Sequence, residues 1–497
     1  MFAKNNEQEK PMEQNSTASA ERRASAVAFI SDIFTEIVCS EGRGMLESED
    51  MCIDAAHSVM AEALGIALER YDDQVCSSLD DGVRVHDRRV RTLATKLGDV
   101  TFRYRRCRDA AGSSVIPLAD ALDLPWGSRI SPSARDFLVE AGAEVSFAKS
   151  ARLLRRAGGS QVSATCVMSA VRRIGQLCAE EDELAASSLY EDGIVPDGGA
   201  VSADLCIEAD GTWIRLQRVP EGEPDKVEVK ALVSYSGKER RGAKAHRVNP
   251  VRHGCVGTSG QFWRQGVAAV ASRYDISKVE RVHLGCDGEH GYKEGSAYFP
   301  LSVECDAHLD PFHVNRAILA CFPASERRLA SNVVGMAIDG DAAAAAEVIE
   351  IAAEHGLANA NAARVAGYLR NNEQIIYSGG PSLGTMESEQ QHVYGCRMDS
   401  VPCAWSVPGV DAMARLRSRR CSGRDLPRLT RSRSVTPRRE RRSSEREIAY
   451  LSTKIDTRVP KTVGKGYEAE HSASLSKFSA EVRYAAGIDS GMVATGW

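Results

Sequence analysis

The sequence predicts an α/β protein. A mixed sheet carries the chemistry, an all-α insertion interrupts it, and a mainly helical N-terminal region with a helix-turn-helix precedes it. Three observations predict this class. Leu205, Ile207 and Ala209 alternate with Cys206, Glu208 and Asp210, the period-2 pattern of a pleated strand. A second apolar run through Val279, Val282 and Leu284 ends in Asp287-Gly288, as the first ends in Asp210-Gly211. From Ser325 to about Glu373 strong helix formers dominate and no strand pattern interrupts them.

A chain of 497 residues exceeds one small core, so two or three domains are expected. The 14 cysteines are scattered singly without a CxxC pair, which argues against zinc ribbons and paired redox motifs and for free thiols in a reducing cytosol. The polar N-terminus lacks an apolar signal core, and no run of about eighteen apolar residues is present. The expected location is therefore cytoplasmic. The net charge of −5 hides an asymmetry: Arg415 to Arg446 holds thirteen Arg against three acids, so that block is +10 and the remainder −15. Such a block suits a polyanion, or equally a solvated tail.

In order along the chain, residues 1–24 are polar and expected to be disordered. Residues 25–110 hold two helical segments, the second with Ile53, Ala56, Met60, Leu64 and Ala67 at helical spacing, then β structure from Arg88 to Asp109 around Leu97-Gly98-Asp99. Residues 111–190 contain the helix-turn-helix. Ala148, Ala151 and Leu154 mark its first helix, which also carries Arg152, Arg155 and Arg156; Gly158-Gly159 breaks it, and Ser163 is placed to cap the second. A recognition helix puts polar side chains of its first turns on base edges, here Thr165 and Ser169, while nearby Arg such as Arg172 and Arg173 neutralise phosphates. Any αα-hairpin with a Gly turn has the same outline. Glu180 to Ala200, acidic and then Gly-rich, reads as a linker. The first part of the catalytic core spans 204–322, opening with a strand, a bend at Gly211 and a second strand. A helical insertion covers 323–376, a Glu-bearing helix 377–420, and a basic tail 421–497.

Two aspartates at strand ends and a glutamate on a later helix is the layout of an RNase H-like sheet. Asp210, Asp287 and Glu387 are the candidate catalytic and metal-binding residues. Hard carboxylate oxygens suit Mg²⁺ or Mn²⁺, and two such ions activate the attacking oxygen and stabilise the leaving one in phosphoryl displacement. Glu389 rivals Glu387 for the third place. His313 stands near the expected site, although a lone His in a helix's first turn is more often structural; His392 and Arg397 are candidate phosphate supports or solvent-facing groups. Cys286 reads as a small buried residue. No Ser-His-Asp or Cys-His signature competes, while a hydrolase using paired acids stays open on residue type alone.

The stretches IEADGTWIRLQ, EVKALVSY, FWRQGVAAVASRYD, VERVHLGCDG, LDPFHVNRAI and MESEQQHVYGCRM…WSVPGVDAMARLR together resemble the ISLre group of bacterial insertion-sequence transposases, over roughly Arg88 to Arg417. That resemblance implies an RNase H-like domain with an Asp-Asp-Glu triad on Asp210, Asp287 and Glu387. Glu387 is preferred because it precedes the His-Val pair by five residues. It further implies DNA cleavage and strand transfer, with double-stranded DNA (terminal inverted repeats and target) and further copies of the chain as partners. Two features depart from the pattern: Cys286 stands where Gly usually precedes the second Asp, and Gly291-Tyr292 is the nearest approach to an aromatic after it. Past Arg417 the likeness fades into an Arg/Ser/Pro stretch, which fits a DNA-binding tail or a frameshift remnant of a decaying element. The alternative function is a catalytically inactive, transposase-derived DNA-binding protein.

Overall fold

The computed structural model describes residues 10–431, apart from 80–81, 126, 243, 289, 377–380, 382, 385 and 400–402. The described chain forms two units that divide inside one helix, between Met168 and Ser169; residues 428–431 return to the first.

In the first unit, α1 (Lys10–Val38) and α2 (Met45–Ser77) precede a β-hairpin of β1 (Arg84–Thr95) and β2 (Gly98–Arg108), with β3 (Ser114–Val115) on the outer side of β2. Helix α1 reaches back to Lys10, well inside the stretch expected to be disordered; its Glu, Gln and Ala are helix formers, and Pro11 falls in the first turn, where a missing N–H costs nothing. The hairpin turns at the expected place, with Thr95 paired to Gly98. Its Arg residues are largely spoken for: Arg105 binds Asp72 and Asp73 of α2 at 2.8 and 2.6 Å, and Arg106 binds Asp87 at 2.7 Å. Among the described residues α2 is long and apolar enough to cross a membrane, with an 18-residue window of mean hydropathy 1.4. The expected lack of such a segment therefore holds only for uninterrupted apolar runs. One face of α2 presents Glu69 and Asp72, which accept from the backbone N–H of Arg103 and Arg105 on β2.

After α3 (Pro117–Ala121) come α4 (Pro132–Glu144), α5 (Phe147–Gly158) and α6 (Ala164–Tyr190). Ser163 caps α6 as expected, its Oγ accepting from the Cys166 N–H at 3.1 Å. Helix α6 does not stop where the expected linker begins, at Glu180. It runs on through the stretch expected to be a linker, because Ala186, Leu189 and Tyr190 enter the core of the second unit. The connecting segment is thereby shortened to 191–203.

The second unit is built on a five-stranded mixed sheet of β4 (Asp204–Arg215), β5 (Lys226–Tyr235), β8 (Val251–Cys255), β9 (Arg281–Cys286) and β10 (Glu304–Leu309). A small ribbon of β6 (Lys238–Arg241) and β7 (Lys244–Arg247) lies between β5 and β8 in sequence. The strand order is β10-β9-β4-β5-β8; β4 is parallel to β9, β9 to β10, and β5 runs antiparallel to both β4 and β8. On one face Leu205, Ile207, Ala209, Val282 and Leu284 pack on α7 (Ser259–Ala271), whose Phe262, Trp263 and Val267 are fully buried. Each such side chain contributes roughly 1.5–3 kcal/mol. The other face carries the alternate residues, among them Glu208 and Asp210.

A short helix, α8 (His290–Lys293), follows β9, and α9 (Pro311–Leu319) follows β10. The expected insertion is α10 (Arg327–Ile338), α11 (Ala342–Glu354) and α12 (Ala362–Asn372), whose Ala345, Ile349, Val365 and Leu369 share an Ala-rich core with Leu309 of β10 and Val314 and Ile318 of α9. The Glu-bearing segment is α13 (Met386–Gln390), a π-helical turn over Gln391–Gly395 and α14 (Cys396–Met398); α15 (Val407–Cys421) closes the unit. The basic block begins inside α15, and its first members are not surface cations. Arg415 and Arg419 are buried and bind Asp182 at 2.8 and 2.7 Å. Arg417 is buried as well and donates to the backbone carbonyls of Val393 and His392. The rest of the expected tail, from 432, lies outside the described residues.

Candidate active site

The opening strand differs from its expected form. Asp210 and Gly211 do not end a strand at a bend. They lie in the middle of β4, where Asp210 pairs with Ala231 and Gly211 with Lys230 of β5. Gly211 is there for space: a Cβ would overlap Glu228 Oε1 and come within 2.7 Å of the Tyr292 hydroxyl. That hydroxyl donates to Glu228 at 2.6 Å, and Lys230 binds the other oxygen of the same carboxylate at 2.6 Å. Burial and the Glu228 bond raise the Tyr292 pKa, and the nearby Asp210 and Asp287 charges add to this. Tyr292, the aromatic that follows Asp287-Gly288, is thus buried in the core on the α7 side of the sheet, beneath Gly211.

Register brings three aspartates level. Asp204 of β4 and Glu304 of β10 both pair with Arg281 of β9. Counting the same number of residues onward along each strand arrives at Asp210, Asp287 and Asp310. Neighbouring strands lie about 4.8 Å apart, so these side chains emerge close together. One cleft is lined by Glu208, Asp210, Asp287, Asp310 and His313, with Cys286, Gly384 and Met386 among its other walls.

Each acid is held differently. Asp210 Oδ1 accepts from the Gly211 N–H at 2.7 Å, and its Oδ2 lies 3.6 Å from His313 Nε2. That contact, with the Asp310 and Asp287 charges, raises the His313 pKa against its burial. Asp287 follows the last residue of β9. Its carbonyl accepts from the Tyr368 hydroxyl at 2.9 Å, so α12 of the insertion braces it. Gly288 then turns with φ +91°, where a Cβ would meet Asn372 Oδ1 and Leu309 Cδ1, both at 2.9 Å. Asp310 caps α9 by accepting from the Phe312 N–H at 2.8 Å; burial, with Glu208 and Asp210 nearby, raises its pKa. Glu208 is buried and accepts from the Tyr235 hydroxyl at 2.6 Å and the Gly384 N–H at 2.8 Å, which commits it to the fold.

The structure gathers some of the expected residues and not others. Asp210, Asp287 and His313 share the cleft, and His313 is part of the site rather than a remote structural group. Glu387 is not among the lining residues. It stands one position beyond the lining Met386 and is exposed. Its rival Glu389 is buried and bound by Arg252 at 2.7 Å and Arg247 at 2.9 Å, which makes it a structural ion pair. His392 is exposed, and Arg397 is buried with its guanidinium 4.9 Å from the Trp405 ring centroid; neither lines the cleft. Cys286 is buried, as expected.

Asp310 is the residue that sequence reasoning missed. The signal was present: LCIEAD, VHLGC-D and ECDAHL-D each run apolar-alternating into Asp, and only the first two were read that way. In the helical region Arg152, Arg155, Arg156, Thr165 and Ser169 are exposed. Arg172 instead donates to Ser406, and Arg173 pairs with Glu180 at 3.4 Å. Those two belong to the packing of α6 and not to a free basic face.

The donor set fits a hard divalent cation. The lining polar groups are carboxylates, with His313 beside one of them, and Cys286 is turned into the apolar core.

Known proteins place the chain in a family without a described activity. A streptococcal relative, the UPF0236 protein in the vanSb 3′ region of Streptococcus gallolyticus, is 25% identical over 296 residues, covering 59% of this chain and 62% of its own length. A UPF0236 protein of Caldanaerobacter subterraneus is 24% identical over 345 residues, covering 67% of this chain and 69% of the relative. Another from that organism, 25% identical over the same length, carries eleven locus designations in its name. The chain thus spans about three fifths of the streptococcal relative and two thirds of the others. Residues 39–433 match a single family along most of the chain, and the protein belongs to the uncharacterised protein family UPF0236.

Proposed function

We propose that this protein is a DNA transposase of an insertion sequence, of the Asp-Asp-Glu type on an RNase H-like sheet. It cleaves phosphodiesters at the element ends and transfers the freed strand to target DNA. The observation that carries the reading is the level placement of Asp210 and Asp287 on neighbouring parallel strands, opening into one cleft. The sheet order, with one strand opposed to four, supports the fold assignment. Relatives named for many loci of one genome fit an element that copies itself.

Two Mg²⁺ (or Mn²⁺) ions, when bound, supply charge stabilisation to the attacking and leaving oxygens. Asp210 and Asp287 are the residues that hold them, with Asp310 level beside Asp287. Glu387, one residue beyond the cleft-lining Met386 in the first turn of α13, would supply the third carboxylate. His313 orients the Asp210 carboxylate through Oδ2, while the Gly211 N–H fixes Oδ1. Glu228, Lys230 and Tyr292 bond to one another on the α7 face of the sheet, beneath Gly211, and hold β4 against β5 next to Asp210. The exposed Arg152, Arg155 and Arg156 of α5, with Thr165 and Ser169 at the start of α6, form the helix-turn-helix contact to DNA, and their charges give it salt-sensitive affinity.

The test is incubation of the full-length protein with Mg²⁺ and a labelled duplex bearing the inverted repeats that flank its gene. Retardation of the duplex together with strand cleavage at the repeat boundary supports the reading. Retardation without cleavage supports the alternative, a transposase-derived DNA-binding protein.

A further inference from the structure

A second group of metal-ligating side chains lies on the same sheet face, about 13 Å back along the strands from Asp287, four residues earlier on β9. It does not depend on the reading of the carboxylate cleft. His283 of β9 pairs in register with Asp306 of β10, and His308 stands two residues further along β10. The two imidazoles stack with centroids 5.6 Å apart and planes at 28°. His283 Nδ1 is 3.4 Å from His308 Nε2 and 3.9 Å from Asp306 Oδ2. One ligand atom from each of the three residues lies within 4.8 Å of the others, and all three residues are half-buried.

We propose that His283, Asp306 and His308 form a binding site for a transition-metal ion of the Zn²⁺ class. Three features carry this. Two nitrogens bound to Zn²⁺ at about 2.0–2.1 Å in tetrahedral geometry stand roughly 3.3 Å apart, which the 3.4 Å separation matches. At 3.4 Å the contact is longer than the usual hydrogen bond of a nitrogen donor to oxygen, about 2.7–3.2 Å. Finally, the other nitrogen of His283, Nε2, faces the Asp204 carboxylate at 3.8 Å. At 3.8 Å this is an electrostatic contact and not a hydrogen bond; it favours a proton on Nε2, which leaves Nδ1 available as the ligand. Arg281 approaches Asp306 at 3.6 Å but makes its short ion pair, 2.7 Å, with Glu304, which leaves the Asp306 carboxylate accessible to an ion. Imidazole nitrogens select Zn²⁺ and its neighbours over the Mg²⁺ that suits the all-oxygen cleft, so the two sites differ in metal class.

The experiment is titration of the full-length, metal-stripped protein with Co²⁺, followed by visible absorption. The expected result is one equivalent of Co²⁺ giving d–d bands without a thiolate charge-transfer band, displaced by Zn²⁺. These bands should be lost in His283→Ala and in His308→Gln, while the circular dichroism and melting temperature of both metal-free variants match the parent. A thiolate charge-transfer band as the sole signal, or d–d bands that persist in both variants, overturns the proposal. If one variant misfolds, Asp306→Asn provides the same comparison: weakened Co²⁺ affinity supports the site, and unchanged affinity counts against it.

Discussion

His313 Nε2 lies 3.6 Å from Oδ2 of Asp210, tying the first turn of α9 to the middle of β4. The contact matters because Asp210 sits within a strand and has no loop to steer its side chain. His313→Ala should reduce Mg²⁺-dependent cleavage by about 10–100-fold, the usual cost of removing a group that orients a metal ligand. Most of the activity should return at raised Mg²⁺. Cleavage at the parent rate at every Mg²⁺ concentration contradicts this role.

The two glutamates of α13 should separate by assay. Glu389 is buried between Arg247 and Arg252. Removing one partner of a buried ion pair strands the other charges and costs about 3–5 kcal/mol. Glu389→Ala should therefore lower the urea midpoint strongly. Glu387 is exposed, so Glu387→Gln should leave the midpoint unchanged and abolish cleavage. If Glu387→Gln cleaves normally, the third carboxylate is not Glu387, and Asp310 becomes the one to test.

Acid should destabilise the second unit through His253. It is fully buried, and burial pushes its pKa down from the ordinary 6.5 to about 3, with Asp182 opposing and Arg415, Arg419 and Arg424 reinforcing the shift. The unfolded chain therefore takes up this proton first as pH falls. The contribution is complete above about pH 6.5 and is lost on going down towards pH 3, at about 1.4 kcal/mol per pH unit. Urea unfolding at several pH values should show that slope reduced by about this much in His253→Leu relative to the parent; equal slopes in the two proteins contradict it.

Much of this architecture was legible in the sequence because period-2 alternation survives burial. The apolar runs through Leu205 and through Val282 and Leu284 lie in strands, and the region after Ser325 is helical. What the sequence concealed was long-range pairing. Gly211 resembles a turn residue until Glu228 and Tyr292 are seen to fill the space beside it. Arg415 and Arg419 resemble the start of a basic tail until Asp182, far away in sequence, is found between them. Asp310 went unnoticed because its place opposite Asp287 depends on strand register, which one sequence does not display.

The exposed arginines of α5 offer a binding test. The triple variant Arg152→Ala, Arg155→Ala, Arg156→Ala should weaken retardation of end-bearing duplex. It should also reduce the slope of log K against log salt by about 0.9 for each phosphate that is no longer neutralised. An unchanged slope places the DNA-binding surface elsewhere.

The central claim is that Asp210 and Asp287 act together on DNA. The most direct measurement is Mg²⁺-dependent cleavage of the end duplex by the parent and by Asp210→Asn and Asp287→Asn, each of which keeps the side-chain shape and removes the charge. Cleavage by the parent, with both variants reduced to background at unchanged melting temperature, is the predicted result. Cleavage by Asp210→Asn at the parent rate would contradict it.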